Sequence, residues 1–245
     1  MVNLTATHVM VITVLFFSTF IRSAFGFGDA LLAMPLLVML INPQTAAPLV
    51  ACIAFTIAIT ILLKSWRDVD IKAAWRLIAL SLVGIPIGVQ LLKTAPEHII
   101  KAILGIVLIL FGLYNLIAPR LPKLKWQGWT YIFGFVAGIL GGAYNTNGPP
   151  IVIYSTLRRW PPQRFRATLQ GYFFSTGVLL LANHALAGLW TPDVLRLYAY
   201  SLPIVMLAIF LGGKVNQSIP RGRFERFING FLVLMGVFLL SAFHF

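Results

Sequence analysis

FGFGDALLAMP (Phe25–Pro35) and LGGAYNTNGPP (Leu140–Pro150) decide the fold. Each interrupts a nearly uncharged apolar stretch, and in each a glycine stands seven residues before a proline: Gly28 and Pro35, then Gly142 and Pro149. At membrane depth, backbone freed by Gly and Pro is tolerated only where protein buries it or it lines a cavity. A matched pair of breaks, one per half of a chain, points to the substrate site of a transporter built from repeats. Pro35, Gly141, Gly142, Pro149 and Pro150 are therefore read as the structural breaks.

Composition agrees. Hydrophobic residues make up 59% of the chain and charged residues 10%, with a mean hydropathy of +0.90. Soluble domains carry roughly 25% charged residues. The lone cysteine, Cys52, excludes an intramolecular disulfide and reads as a small core residue. A net charge of +13 would suit nucleic acid, but its placement does not. Of 19 basic residues, 14 fall in four short loops: Lys64/Arg67/Lys72, Arg120/Lys123/Lys125, Arg158/Arg159/Arg164/Arg166 and Lys214/Arg221/Arg223/Arg226. That is the positive-inside pattern of loops facing cytoplasm and anionic headgroups, in an inner-membrane protein. Trp66, Trp126, Trp129, Trp160 and Trp190 fall near the expected interfaces, as do His8, His98 and His244. The N-terminus lacks a basic n-region and reads as the first membrane segment rather than a signal peptide.

Full spans need about 20 apolar residues. Six segments qualify: 44–64, 73–92, 99–118, 167–187, 195–213 and 226–244. Two longer regions, 6–41 and 129–157, contain the breaks, and each reads as a re-entrant or broken-helix hairpin. Alternating the basic loops as cytoplasmic makes 129–157 leave and return on that side, and 6–41 on the other. Each half is then a hairpin plus three spans, an odd number of crossings. The expected fold is all-α and polytopic, with two inverted repeats, 1–120 and 121–245, and both termini outside. A pair of full crossings for 6–41 stays open. Smaller echoes are a proline in each third element, Pro86 and Pro203, and glycines in each fourth, Gly105/Gly112 and Gly230/Gly236, suited to close helix contact.

At the two breaks the chain resembles the TauE/SafE, or sulfite exporter, family of membrane transporters. The residues carrying it are Gly26-Phe-Gly28 leading to Pro35-Leu-Leu37, and Gly134-Phe-Val-Ala-Gly-Ile-Leu-Gly-Gly142 followed by Gly148-Pro149-Pro150 and Tyr154. Phe27 and Asp29 depart from the family's usual run of small residues. The resemblance covers essentially the whole chain and implies transport of sulfur-containing oxyanions or organic sulfonates, coupled to an ion gradient.

Residue chemistry reaches an anion site separately. Half-helix N-termini offer unpaired N–H groups and a positive dipole end. Gly26 and Gly28 let an oxyanion approach the backbone. Asn145, Thr146, Asn147 and Gly148 can cap the next half-helix or donate to substrate oxygens, and Tyr144 and Tyr154 can donate or simply pack. Arg22 is the sharpest candidate. An intramembrane arginine costs about 2.5–3.5 kcal/mol on insertion scales unless it is partnered. It reads as counter-charge to the substrate, as an ion pair with Asp29, or as snorkelling to the surface. Asp29 can carry a coupling proton, pair with Arg22 or N-cap the following half-helix. His184, beside Asn183, is a gate or proton carrier, or a packed histidine.

The expected partners are a small anion, the bilayer and a coupling ion, with no nucleic acid; a homodimer stays open. No metal-ligand cluster, nucleotide loop or nucleophile elbow occurs, so no cofactor, metal or catalytic residue is expected. Secondary transport by alternating access leads; a channel-like anion permease, a membrane-embedded enzyme or an anion sensor is the alternative.

Overall fold

The computed structural model describes residues 6–65, 69–117, 123–124, 126–215 and 221–241. Trp66, Arg67, Arg120, Lys125 and His244 lie outside them, as do the side chains of Lys64, Lys72, Arg164, Arg166, Arg221 and Arg223.

The described residues form ten helices and no strand. They are α1 (Ala6–Phe25), α2 (Asp29–Leu40), α3 (Pro43–Ser65), α4 (Ile71–Thr94), α5 (Glu97–Ile117), α6 (Trp129–Tyr144), α7 (Gly148–Leu157), α8 (Pro162–Leu186), α9 (Pro192–Val215) and α10 (Arg221–Ser241). Proline opens α3, α8 and α9, where its fixed φ suits the first turn and its missing N–H costs nothing. Five helices, α1, α3, α4, α5 and α9, are long and apolar enough to cross a membrane. Helix α8 has 25 residues but carries Thr168, Gln170, Ser175, Thr176 and His184. Exposed Leu82, Val83, Ile106, Leu110, Phe210 and Leu234 stand on the outer helices. Removing such surface from water is worth about 25 cal/mol per Å², so a multi-pass chain turns it to lipid.

The breaks are narrower than the sequence suggests. Pro35 lies inside α2, which runs through it, and Gly141 and Gly142 lie inside α6. At the two breaks the chain departs from helix over Gly26–Gly28 and Asn145–Asn147, with φ of 94° at Gly26, 103° at Gly28 and 55° at Asn145. Glycine and asparagine tolerate that left-handed region best. Pro149 and Pro150 fall in the first turn of α7 rather than breaking it. At 20 residues, α1 is long and apolar enough for a full crossing, whereas α2 has 12 residues.

Each hairpin has its free ends side by side. His8 of α1 and Ile41, Asn42 and Thr45 beyond α2 line one cavity with Asp193 at the start of α9. In the second hairpin, Thr130 and Tyr154 hydroxyls are 2.7 Å apart, and the Leu124 N–H donates to the Leu157 carbonyl.

Glycines set the helix packing. Gly84 and Gly88 of α4 meet Gly138 and Gly142 of α6, and Gly134, four residues earlier on the same face, meets Leu77. A Cβ at Gly138 would fall 2.6 Å from the Ser81 carbonyl oxygen, so only glycine lets these backbones touch. The register, Leu77 by Gly134 and Ile85 by Gly142, makes α4 and α6 parallel. In the same way α1 packs along α9, with Gly212 under Phe20 and Ser23. Helices α5 and α10 are antiparallel: Gly105 faces Gly236, while Gly112 faces Asn229 and Val233. Gly230, expected at a close contact, has open space where a side chain would go.

Candidate functional site

Both turns end against the middles of α3 and α8. The N-termini of α2 and α7 meet there around a cavity of about 20 Å³ lined by Arg22, Gly28, Asp29, Asn145–Pro149 and, from α3 and α8, Ala51, Phe55, Phe173 and Gly177. A cavity of this size holds about one water.

Arg22 arrives from the last turn of α1 and is 2% exposed. Its Nη1 donates to Asp29 Oδ2 at 2.7 Å, across the turn. Its guanidinium carbon lies 4.8 Å from the Phe173 ring centroid, a cation–π distance. Nε and Nη2 are buried and have no hydrogen-bond partner among the described residues. These two N–H groups form the parallel edge that grips an oxyanion bidentately. Phe173 also lies 3.6 Å from where a Gly148 side chain would begin, so one ring touches both turns.

The ion pair expected as one reading of Arg22 is present, and snorkelling is not, since the side chain is buried. Asp29 is the first residue of α2 and the N-cap is Gly28, with no side-chain cap bond, so Asp29 does not cap the helix. The N–H groups of Asp29, Ala30 and Leu31 have no intrahelical partner by position, whereas Leu32 N–H reaches the Gly28 carbonyl. Helix α7 is poorer in donors, because Pro149 and Pro150 carry no N–H.

In the second turn, Asn147 is the N-cap of α7 but its Nδ2 donates to Thr176 Oγ1 at 3.1 Å instead of capping. Asn145 closes α6 through its own N–H on the Gly141 carbonyl, and its Nδ2 lies 3.5 Å from the Val50 carbonyl. Thr146 Oγ1 reaches back 3.4 Å to the Leu140 carbonyl. Arg22, Gly28, Asp29, Asn145, Thr146, Asn147 and Gly148 are thus brought together.

Three expected residues lie elsewhere. Gly26 stands behind the cavity, its carbonyl accepting 2.7 Å from Gln170 Nε2. Tyr154 sits at the open end of the second hairpin, between Phe133 and Trp160, with its hydroxyl on Thr130. The side chain that the sequence offers as a substrate donor packs there instead. His184 is buried with Nε2 3.1 Å from the Gly142 carbonyl, which makes it a packed histidine outside the cavity lining.

Sequence reasoning misses Gln170, Phe173 and Thr176. The available signal is α8 itself, where an amide and hydroxyls interrupt a membrane-length helix, as they do where a bundle turns inward.

The model of the family described as Sulfite exporter TauE/SafE matches residues 11–239. A relative from Cupriavidus necator, described as a probable sulfite/organosulfonate exporter TauE, is 23% identical over 233 residues, covering 91% of this chain and 89% of its own. No solved structure matches. With both glycine turns inside the matched region, the chain belongs to the sulfite exporter TauE/SafE family.

Proposed function

We propose that the chain is a secondary transporter of the inner membrane that moves a small sulfur-containing oxyanion or organic sulfonate by alternating access, coupled to a proton. The observation that carries this is the unpartnered Nε–Nη2 edge of buried Arg22, set beside the N-terminus of α2. Family membership makes the chain a transporter rather than an enzyme. A cavity that admits about one water favours alternating access over an open channel.

Charge argues for the coupling. Arg22 and Asp29 neutralise each other, and an anion on the free Nε–Nη2 edge sets a second negative charge against the one guanidinium. An excess buried negative charge is costly unless the carboxylate takes up a proton. Anion and proton then travel together, in the direction their combined gradients set.

The inverted repeat is supported by helix partners that exchange when five is added to each number. Helices α1·α9 and α6·α4 are equivalent pairs, and α3·α8 and α5·α10 map onto themselves. An axis along the membrane normal would make α5 and α10 parallel, whereas an axis in the membrane plane makes them antiparallel, as they are. On this reading the face bearing Arg158, Lys214 and Arg226 is cytoplasmic, and residues 6 and 241 lie on the outer side.

The test is uptake of labelled sulfite, thiosulfate and small sulfonates into proteoliposomes with and without an imposed pH gradient. Saturable, gradient-driven flux is expected; flux that rises linearly with concentration would return the channel reading.

A further inference from the structure

A second cavity, of about 280 Å³, adjoins the first. The two share Phe27, Gly28 and Leu31 of the first turn, and the larger one extends between α5, α7 and α10. Its walls are mostly apolar, with Phe111, Val152 and Leu232 among them, and its polar side chains are the uncharged Asn115, Thr156 and Asn229. Asn115 Nδ2 bonds the Phe111 carbonyl and Thr156 Oγ1 the Val152 carbonyl, each within its own helix. These bonds leave the Asn115 amide oxygen and the Thr156 lone pairs able to meet a guest. Among the described residues, no charged side chain lines this space. A cavity of about 150 Å³ admits benzene, so this one has room for a short organic group.

We propose that this cavity is the tail subsite of the transporter: it holds the uncharged alkyl or hydroxyalkyl part of an organosulfonate whose sulfonate group sits at Arg22. The inference rests on the anion site proposed above and adds a substrate class to it. Without a carboxylate in the lining, an ammonium-bearing tail would be desolvated unpaired, which is costly. The site therefore selects alkane- and hydroxyalkanesulfonates over aminoalkanesulfonates. Phe27, standing on both linings, sits where tail and headgroup join.

The experiment uses the full chain in proteoliposomes. Labelled sulfite uptake is measured against unlabelled ethanesulfonate, 2-hydroxyethanesulfonate and 2-aminoethanesulfonate, and each sulfonate is then supplied labelled. The first two are expected to compete and to accumulate, and the amino compound to compete at least tenfold more weakly. Narrowing the cavity with Val152→Phe should raise the ratio of the sulfonate inhibition constant to the sulfite KM at least tenfold. Asn229→Leu should weaken hydroxyethanesulfonate more than ethanesulfonate. Sulfite flux in the same vesicles reports folding of each variant. Equal competition by the ammonium compound, or a ratio unmoved by Val152→Phe, overturns the tail subsite. Sulfite transport with no sulfonate competition overturns it too and leaves the anion site standing. Absence of any sulfite flux in the wild type would remove both.

Discussion

Arg22 and Asp29, seven residues apart in sequence, face each other across the Gly26–Gly28 turn with Nη1 2.7 Å from Oδ2, and both are buried. Removing one partner of such a pair leaves an uncompensated charge, at about 3–5 kcal/mol, whereas neutralising both is often harmless. Arg22→Ala and Asp29→Ala should each lower the melting temperature in detergent, and Arg22→Gln/Asp29→Asn should recover most of the loss without restoring transport. A double variant as unstable as the singles would mean that the pair is not what holds this turn.

Arg22→Lys separates charge from shape. Lysine keeps the positive charge but cannot present the Nε–Nη2 edge. Sulfite transport should fall by tenfold or more, with folding retained. Wild-type kinetics in Arg22→Lys would show that the anion is held by backbone N–H groups alone.

Asp29→Asn removes the group proposed to carry the proton. Exchange of labelled for unlabelled sulfite should survive, while accumulation driven by a pH gradient should collapse to the level without one. Persistent gradient-driven accumulation would move the coupling site elsewhere.

His184→Gln should leave that coupling intact, because the ring is packed with Nε2 against the Gly142 carbonyl and lies outside the cavity lining. His184→Ala leaves the carbonyl unpartnered at about 1–3 kcal/mol. Thermal melts and pH-gradient uptake on the two variants separate the roles; lost coupling in His184→Gln would make the histidine a proton carrier after all.

The α4–α6 contact supplies a packing test. Gly138→Ala forces a methyl to within 2.6 Å of the Ser81 carbonyl oxygen, while Gly230→Ala points into open space. Overpacking costs about 1–3 kcal/mol, so the first should melt lower and the second should not. Equal melting temperatures would contradict the parallel glycine contact.

Much of the architecture is legible in the residues alone. Hydropathy and the placement of basic residues reveal a membrane chain and its loops, because transfer of side chains into lipid depends on composition over a window and not on neighbours. Gly28 and Asn145–Gly148 advertise a broken backbone because local conformation is set by residue type. The same logic misjudges Pro35, Gly141 and Gly142. Proline within an apolar helix loses one hydrogen bond and is tolerated among packed neighbours, and the two glycines lie within α6, where Gly142 serves packing with α4.

What the sequence by itself determined is the class of protein, the number of broken segments and the presence of a costly arginine beside one of them. Only the tertiary structure decided which residues share the cavity. It brought Phe173 and the Thr176–Asn147 bond to the two turns, set Gln170 behind Gly26, and put Tyr154 at the far end of its hairpin. Such neighbours can be far apart along the chain, as Gln170 and Gly26 are at 144 residues. Gly105, Gly112 and Gly236 read from the sequence as suited to close helix contact, but which helices such glycines bring together, α5 with α10 and α4 with α6, is decided by the fold.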